Sequence, residues 1–210
     1  MITLEKVREW YPSYDAVHGF DHIERVYRLC EKIGPPEGAD MEILLTAALL
    51  HDVTDSHPGG KGRKNHHLRS AEFAESVLIK ENWDPRRIQA IQHCIRAHRF
   101  RKGEAPKTIE AKVLFDADKL DVIGAIGVTR ALAYAFQVKQ PAFSDPSKKF
   151  MESGIKEEGE SHSAYHEYVF KLNKISGILI TKTAKRIAEH RQAYLNNFFE
   201  VLADEMRNTK

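Results

Sequence analysis

The sequence predicts an all-α fold, and three observations predict it. Apolar residues recur every three to four positions over most of the chain, as in Ile23, Val26, Leu29, Cys30 and Ile33, which is the period of one helical face. No stretch alternates between apolar and polar residues convincingly enough for a strand. Asp40, Asp84 and Thr108 stand just before periodic stretches, and Gly or Pro follows several of them, as at helix starts and stops. With 210 residues, 42% hydrophobic and 30% charged, the chain suits one soluble globular domain with a sizeable core.

The elements follow in order. Residues 3–10 make a short first helix, ended at Tyr11-Pro12. A second helix runs over about 20–33 and stops at Gly34-Pro35-Pro36, since proline removes the donor that a helix interior needs. Asp40 caps a third helix, read as 41–55. A glycine-rich basic loop over 57–65 leads to helices near 67–81 and 85–98, the latter with Asp84 as cap and Pro85 at its first position. Residues 99–107 form a second basic loop with Gly103 and Pro106. Thr108 caps a helix to about Leu120, and 121–138 stays helical, with Gly124 and Gly127 allowing close packing. Residues 139–162 are polar and carry Pro141, Pro146, Gly154 and Gly159, so a long loop or lid is expected. Two helices near 163–175 and 182–206 close the chain. The expected architecture is a single domain over 1–210 with orthogonal or bundle-like packing. Its core spans about 18–138, its lid 139–162 and its C-terminal helical extension 163–206.

Bulk charge excludes some functions. Thirty-two basic residues against 30 acidic ones leave a net charge of +2, with no global attraction to nucleic acid or anionic membranes. A basic–aromatic stripe is also missing, so no stable nucleic-acid partner is expected. Cys30 and Cys94, the only cysteines, fall on apolar helical faces, which argues against a disulfide framework and for a reducing, cytoplasmic location. The start MITLEKVREW lacks a signal pattern, and the longest apolar run, 43–50, is too short to span a bilayer.

Five residues break the apolar logic. His51 continues the stripe of Leu44, Ala47 and Ala48, and Asp52 follows Leu45, Ala48 and Leu49. Asp55 lies one turn beyond His51. His22 opens the face that continues as Ile23, Val26 and Leu29, and Asp118 lies one turn after Leu114 and Phe115. Burying a neutral polar group without a partner costs roughly 2–7 kcal/mol, and a charge costs more. One divalent ion shared by these groups is the simplest remedy. Imidazole and carboxylate donors suit Mn²⁺, Fe²⁺, Co²⁺, Ni²⁺ or Zn²⁺, and the lack of sulfur excludes a thiolate zinc site. His18 rivals His22 on the same helical side, and Asp116 and Asp121 rival Asp118.

The segments HGFDHIERV, LLTAALLHDVTDS and VLFDADKLDVIGAIGVTR resemble the HD-domain phosphohydrolase superfamily, named for its His…His-Asp…Asp ligands. The resemblance covers roughly 18–130, and DADKLD followed by GAIG is similar to a subgroup of small single-domain bacterial members. It implies an all-α fold and a divalent ion, Mn²⁺ first and Mg²⁺ also admitted, held by His22, His51, Asp52 and Asp118. The Asp of Ala-Asp-Lys-Leu selects Asp118 over its neighbours. It also implies hydrolysis of phosphate esters or anhydrides, often in nucleotides, and some relatives split (deoxy)nucleoside triphosphates to monophosphate and pyrophosphate. Relatives often read His-Asp-x-x-His before the first ligand; here Gly19 replaces that Asp, with Asp21 close by.

Around this set, Asp55 and Lys119 are the candidate catalytic residues, Asp55 as general base and Lys119 as a charge beside the ligand Asp. Substrate contacts are assigned to Arg63, Lys64, His93, His98 and Arg99. The basic loops, which also carry Arg101 and Lys102, form a triphosphate clamp in this reading. His93 and His98 have a second metal or plain packing as other readings. Tyr165, Tyr168 and Phe170 are expected to cover core. The expected function is hydrolysis of a small-molecule nucleotide; a nucleotide phosphomonoesterase and a catalytically silent sensing module are the alternatives.

Overall fold

The computed structural model describes residues 2–11, 19–54, 65–99 and 104–209, all in helices, turns and connections, with no strand among them. Two compact units emerge: residues 1–118 with 180–184, and 119–179 with 185–210. The division after Asp118 falls inside the 18–138 span that the sequence suggested as core.

The first unit contains α1 (Leu4–Arg8), α2 (Phe20–Glu37), α3 (Met41–Leu50), α4 (His66–Lys80), α5 (Pro85–Ala97) and most of α6 (Ile109–Leu120). Helix α3 is its centre, because Leu44, Ala47, Ala48, Leu49 and Leu50 are all buried. A helix apolar all round must be enclosed, and α3 packs against α1, α2, α4 and α5. Asp40 caps it as expected, accepting from the N–H groups of Glu42 and Ile43. Asp84 caps α5 in the same way, with Pro85 at the first position.

Two boundaries differ from the sequence reading. Helix α2 does not stop at Ile33 but carries Pro35 and Pro36 in its last turn. Each proline forgoes the N–H bond to the carbonyl four residues back, while the carbonyls of Gly34 and Pro35 are still taken by the N–H of Gly38, in the left-handed region at φ 77°. Gly34 packs closely as well: a Cβ there would sit 2.6 Å from Met41 Sδ and 2.7 Å from Leu44 Cδ2, so those side chains would have to shift. Helix α3 ends at Leu50 rather than running to residue 55. The His51 ring takes over there, donating Nδ1–H to the Ala48 carbonyl at 2.8 Å, so the side chain satisfies a helix-end acceptor.

Buried Asp116 pins residues 180–184 to α6. Its carboxylate accepts from the N–H of Ile180 at 2.9 Å, and from the N–H and hydroxyl of Thr181, each at 2.7 Å.

The second unit holds α7 (Gly124–Gln137), α8 (Lys148–Ser153), α9 (Ala164–Phe170), a 3₁₀ helix (Leu172–Ile178) and α10 (Lys182–Arg207), of which 182–184 belong to the first. Tyr168 stacks on Phe199 at 4.7 Å between ring centroids, so it covers core as expected. The span 139–162, expected as a long loop or lid, is not loop throughout. Helix α8 lies within it, and Glu160 gathers it by accepting from the Ser147 N–H, the Ser147 hydroxyl and the Glu157 N–H. The buried His166 donates to Glu160 from Nε2 at 3.1 Å and accepts at Nδ1 from Ser163 at 2.7 Å, a set that one neutral tautomer satisfies.

These donors, the Ser147 N–H foremost, hold Glu160 at about 2, below its ordinary 4.5. A depressed carboxyl stabilises the fold above its unfolded pKa, and that contribution fades as pH falls from 4.5 toward 2. Glu160→Gln should therefore lower the melting temperature at neutral pH. Thermal melts across pH should show the gap to the parent shrinking below about pH 4.5. A gap independent of pH would contradict this.

Candidate metal centre

The end of α3 aims two polar groups into the interior of the first unit. His51 is fully buried and Asp52 nearly so. Because a carbonyl only accepts, the 2.8 Å contact with Ala48 fixes the His51 proton on Nδ1 and turns the Nε2 lone pair inward. That Nε2 is buried and has no hydrogen-bond partner, and the same holds for Asp52 Oδ1.

Other helices bring donors to meet them. His22, from the first turn of α2, and Asp118, from the last turn of α6, stand 3.5 Å apart (Nε2 to Oδ1). His22, His51 and Asp118 offer ligand atoms that all lie within 4.8 Å of one another. Asp52 Oδ2 reaches toward this group, 3.9 Å from both His22 Nε2 and His51 Nε2. Its other oxygen, Oδ1, faces His66 Nε2 at 3.3 Å and His98 Nε2 at 3.4 Å. Burial would raise the Asp52 carboxyl, but His51, His98 and His66 outweigh it and hold the group well below the usual carboxylate range. Burial also pushes His51 down, toward the neutral ring that a metal requires. An ionised carboxylate among inward-facing imidazole nitrogens calls for a cation. A donor set of nitrogen and oxygen with an orphaned imidazole nitrogen fits a borderline divalent ion.

Rivals for these positions are engaged elsewhere. Asp116 holds Ile180 and Thr181, and Asp121 is ion-paired with Arg130. His18, Asp55, Arg63, Lys64, Arg101 and Lys102 lie outside the described residues.

The remaining candidates separate. His93 has both ring nitrogens occupied within the protein. Nδ1 meets Glu104 at 3.0 Å, and Nε2 accepts the Lys107 N–H at 3.1 Å, which ties the connection after α5 back to that helix. His98 joins the polar centre. Its Nδ1–H goes to the Ile95 carbonyl at 2.6 Å, so its Nε2 also presents a lone pair. Arg99 is half-buried and close enough to help hold His67 down at about 4, after burial and His66. Lys119 follows Asp118 on α6 and is half-buried.

His66 and His67 were given no role by the sequence reading. The available signal was topological: α4 and α5 form a hairpin of similar lengths, so the start of one must lie beside the end of the other. His66 at the start of α4 and His98 after α5 therefore meet, at 3.4 Å.

Residues 19–123 match the family model of the HD domain, and the chain belongs to the HD-domain superfamily. Its relatives include YpgQ of Bacillus subtilis (strain 168), 31% identical over an alignment of 210 positions that covers 96% of this chain and 93% of that protein. The crystal structure of B. subtilis YpgQ in complex with ADP superposes with a TM-score of 0.74 at 29% identity, covering 97% of each chain. An HD-superfamily hydrolase from Bacillus thuringiensis gives 0.65 at 25% identity, over 97% of this chain and 96% of that one. The chain thus has the fold of HD-superfamily hydrolases.

His51→Ala and His93→Ala should separate metal binding from loop anchoring. The first should lose bound metal while far-UV circular dichroism stays helical. The second should keep its metal but lose about 1–3 kcal/mol in urea unfolding, because it leaves the Glu104 and Lys107 partners unmatched. Full metal content in His51→Ala, or metal loss in His93→Ala, would reverse these roles.

Proposed function

We propose that this protein is a metal-dependent phosphohydrolase that converts nucleoside triphosphates, deoxy forms preferred, to monophosphate and pyrophosphate. The observation that carries the reading is the buried His51 Nε2 and Asp52 Oδ1, both without hydrogen-bond partners and surrounded by further donors. His22, His51, Asp52 and Asp118 would hold the divalent ion, with Mn²⁺ the first choice. Such an ion, when bound, lowers the pKa of water and polarises a phosphoryl oxygen.

The chain's own groups supply the rest. Asp55, four residues beyond His51 in sequence, serves as the base that takes the proton of the attacking water. Water adds at the α-phosphorus and pyrophosphate departs. Arg99, beside His67, offers a planar fork of donors that matches phosphoryl oxygens. Lys119, next in sequence to Asp118, adds a second positive charge near the chemistry, and Arg63 and Lys64 extend the clamp along the polyphosphate. The ADP bound by YpgQ supports a nucleotide as the substrate class.

Chromatography of the products from a nucleotide panel with added Mn²⁺ tests this. Monophosphate and pyrophosphate are expected. Asp55→Asn should lower turnover by about 10²–10⁴ while keeping the metal, and Arg99→Ala should harm triphosphates far more than monophosphates. Diphosphate with orthophosphate, or activity confined to monophosphates, would overturn the pyrophosphate assignment. No turnover by the metal-loaded protein would point to a sensing module instead.

A further inference from the structure

We infer that Arg191 is a positioning residue: it holds the C-terminal end of α6 in register and acts on turnover through Lys119. The inference rests on the phosphohydrolase reading above, in which Lys119 supplies positive charge near the chemistry.

A helix end leaves its last carbonyls without partners inside the helix. At the end of α6, three successive carbonyls, those of 119–121, are each taken from beyond it. The Val122 N–H closes on the Lys119 carbonyl at 3.2 Å. Arg191, 71 residues beyond Leu120, donates from Nη1 to the Leu120 carbonyl at 2.7 Å. Arg130 Nη1 reaches the Asp121 carbonyl at 3.4 Å and is ion-paired with the buried Asp121 carboxylate. Two guanidinium groups therefore stand at the negative end of one helix, where a cation is favoured. The Arg191 bond is short, as a charge-assisted contact should be.

The glycines of the GAIG segment make room for this arrangement. Gly124 lies in the left-handed region at φ 76°, and a Cβ there would stand 3.1 Å from Arg191 Cγ and 3.2 Å from its Cβ. The arginine stem thus lies directly on the glycine while its head reaches the end of α6. A Cβ at Gly127 would stand 2.3 Å from the Val122 carbonyl oxygen, a backbone atom that cannot swing aside. One glycine seats Arg191, and the other lets α7 fold back against the turn.

Lys119 sits at the end that is held. Its own carbonyl and that of the next residue are both engaged, so the backbone from which its side chain projects is fixed. A charge assists a transition state most when its place is set beforehand. The turn before it has a separate anchor, because Asp116 holds the N–H groups of Ile180 and Thr181. Removing the Arg191 head should therefore disturb Lys119 and spare Asp118.

The test uses the full chain loaded with Mn²⁺ and follows nucleoside triphosphate turnover in the parent, Arg191→Met, Lys119→Met and the double variant. Arg191→Met keeps a stem over Gly124 and removes the head. It should bind Mn²⁺ as the parent does and lower kcat about 10- to 100-fold at nearly unchanged KM. Lys119→Met should lose at least as much, and adding Arg191→Met to it should lower kcat no further, because the two share one effect. Arg191→Lys, which keeps stem and charge, should recover part of kcat. Its smaller loss should also vanish in the Lys119→Met background, which keeps the test decisive if Arg191→Met does not fold. Losses that multiply in the double variant would show that Arg191 does not act through Lys119, and would overturn the inference. So would parental kcat in folded Arg191→Met or in Lys119→Met, or loss of Mn²⁺ from folded Arg191→Met. A metal-loaded parent that turns over no nucleotide would instead overturn the phosphohydrolase reading, and this inference with it.

Discussion

A carboxylate buried beside imidazole lone pairs is the constraint on which the first unit turns. Asp52 and His51 occupy positions that an ordinary helical core would give to leucine, and neither His51 Nε2 nor Asp52 Oδ1 finds a hydrogen bond among the described residues. Leaving such groups unmatched costs several kcal/mol (about 1–3 for each donor or acceptor, more for a charge), against a total stability of about 5–15 kcal/mol for a typical domain. The fold accepts this arrangement only where something repays it, and a shared cation would match the donors. Helix α3 serves that end. Its apolar surface is enclosed by α1, α2, α4 and α5, and it delivers the two residues following Leu50 to the interior at a fixed point.

The surrounding helices supply donors from their ends rather than from their middles. His22 sits in the first turn of α2, His66 opens α4, His98 follows α5, and Asp118 lies in the last turn of α6. Helix ends allow a polar side chain to turn inward while the rest of the helix keeps an unbroken apolar stripe. They also provide free carbonyls, and those of Ala48 and Ile95 fix the tautomers of His51 and His98. Backbone geometry thereby sets which ring nitrogen is available for a metal.

Much of this was readable in the sequence, and the reason is periodicity. Each helix start marked by Asp40, Asp84 or Thr108 lies where its capping side chain predicts. His22, His51 and Asp118 stood out because they interrupt apolar stripes, and the structure gathers these three. What periodicity could not show was the partner of a residue across space. His93 and His98 look alike on one helix, yet one anchors Glu104 and Lys107 while the other faces Asp52. His66 escaped attention because it begins a helix after a polar stretch, where a histidine interrupts nothing. The prolines of α2 misled because the turn holds without their two N–H bonds, closed instead by the Gly38 N–H on the carbonyls of Gly34 and Pro35.

If a divalent cation compensates the buried polar groups of the first unit, thermal unfolding with and without metal shows it most directly. A ligand that binds only the folded state at about 100 times its dissociation constant adds about 2.7 kcal/mol. Chelation should therefore lower the melting temperature of the parent by several degrees, Mn²⁺ should restore it, and His51→Ala should respond to neither. A melting temperature unmoved by complete metal removal in the parent would contradict the account.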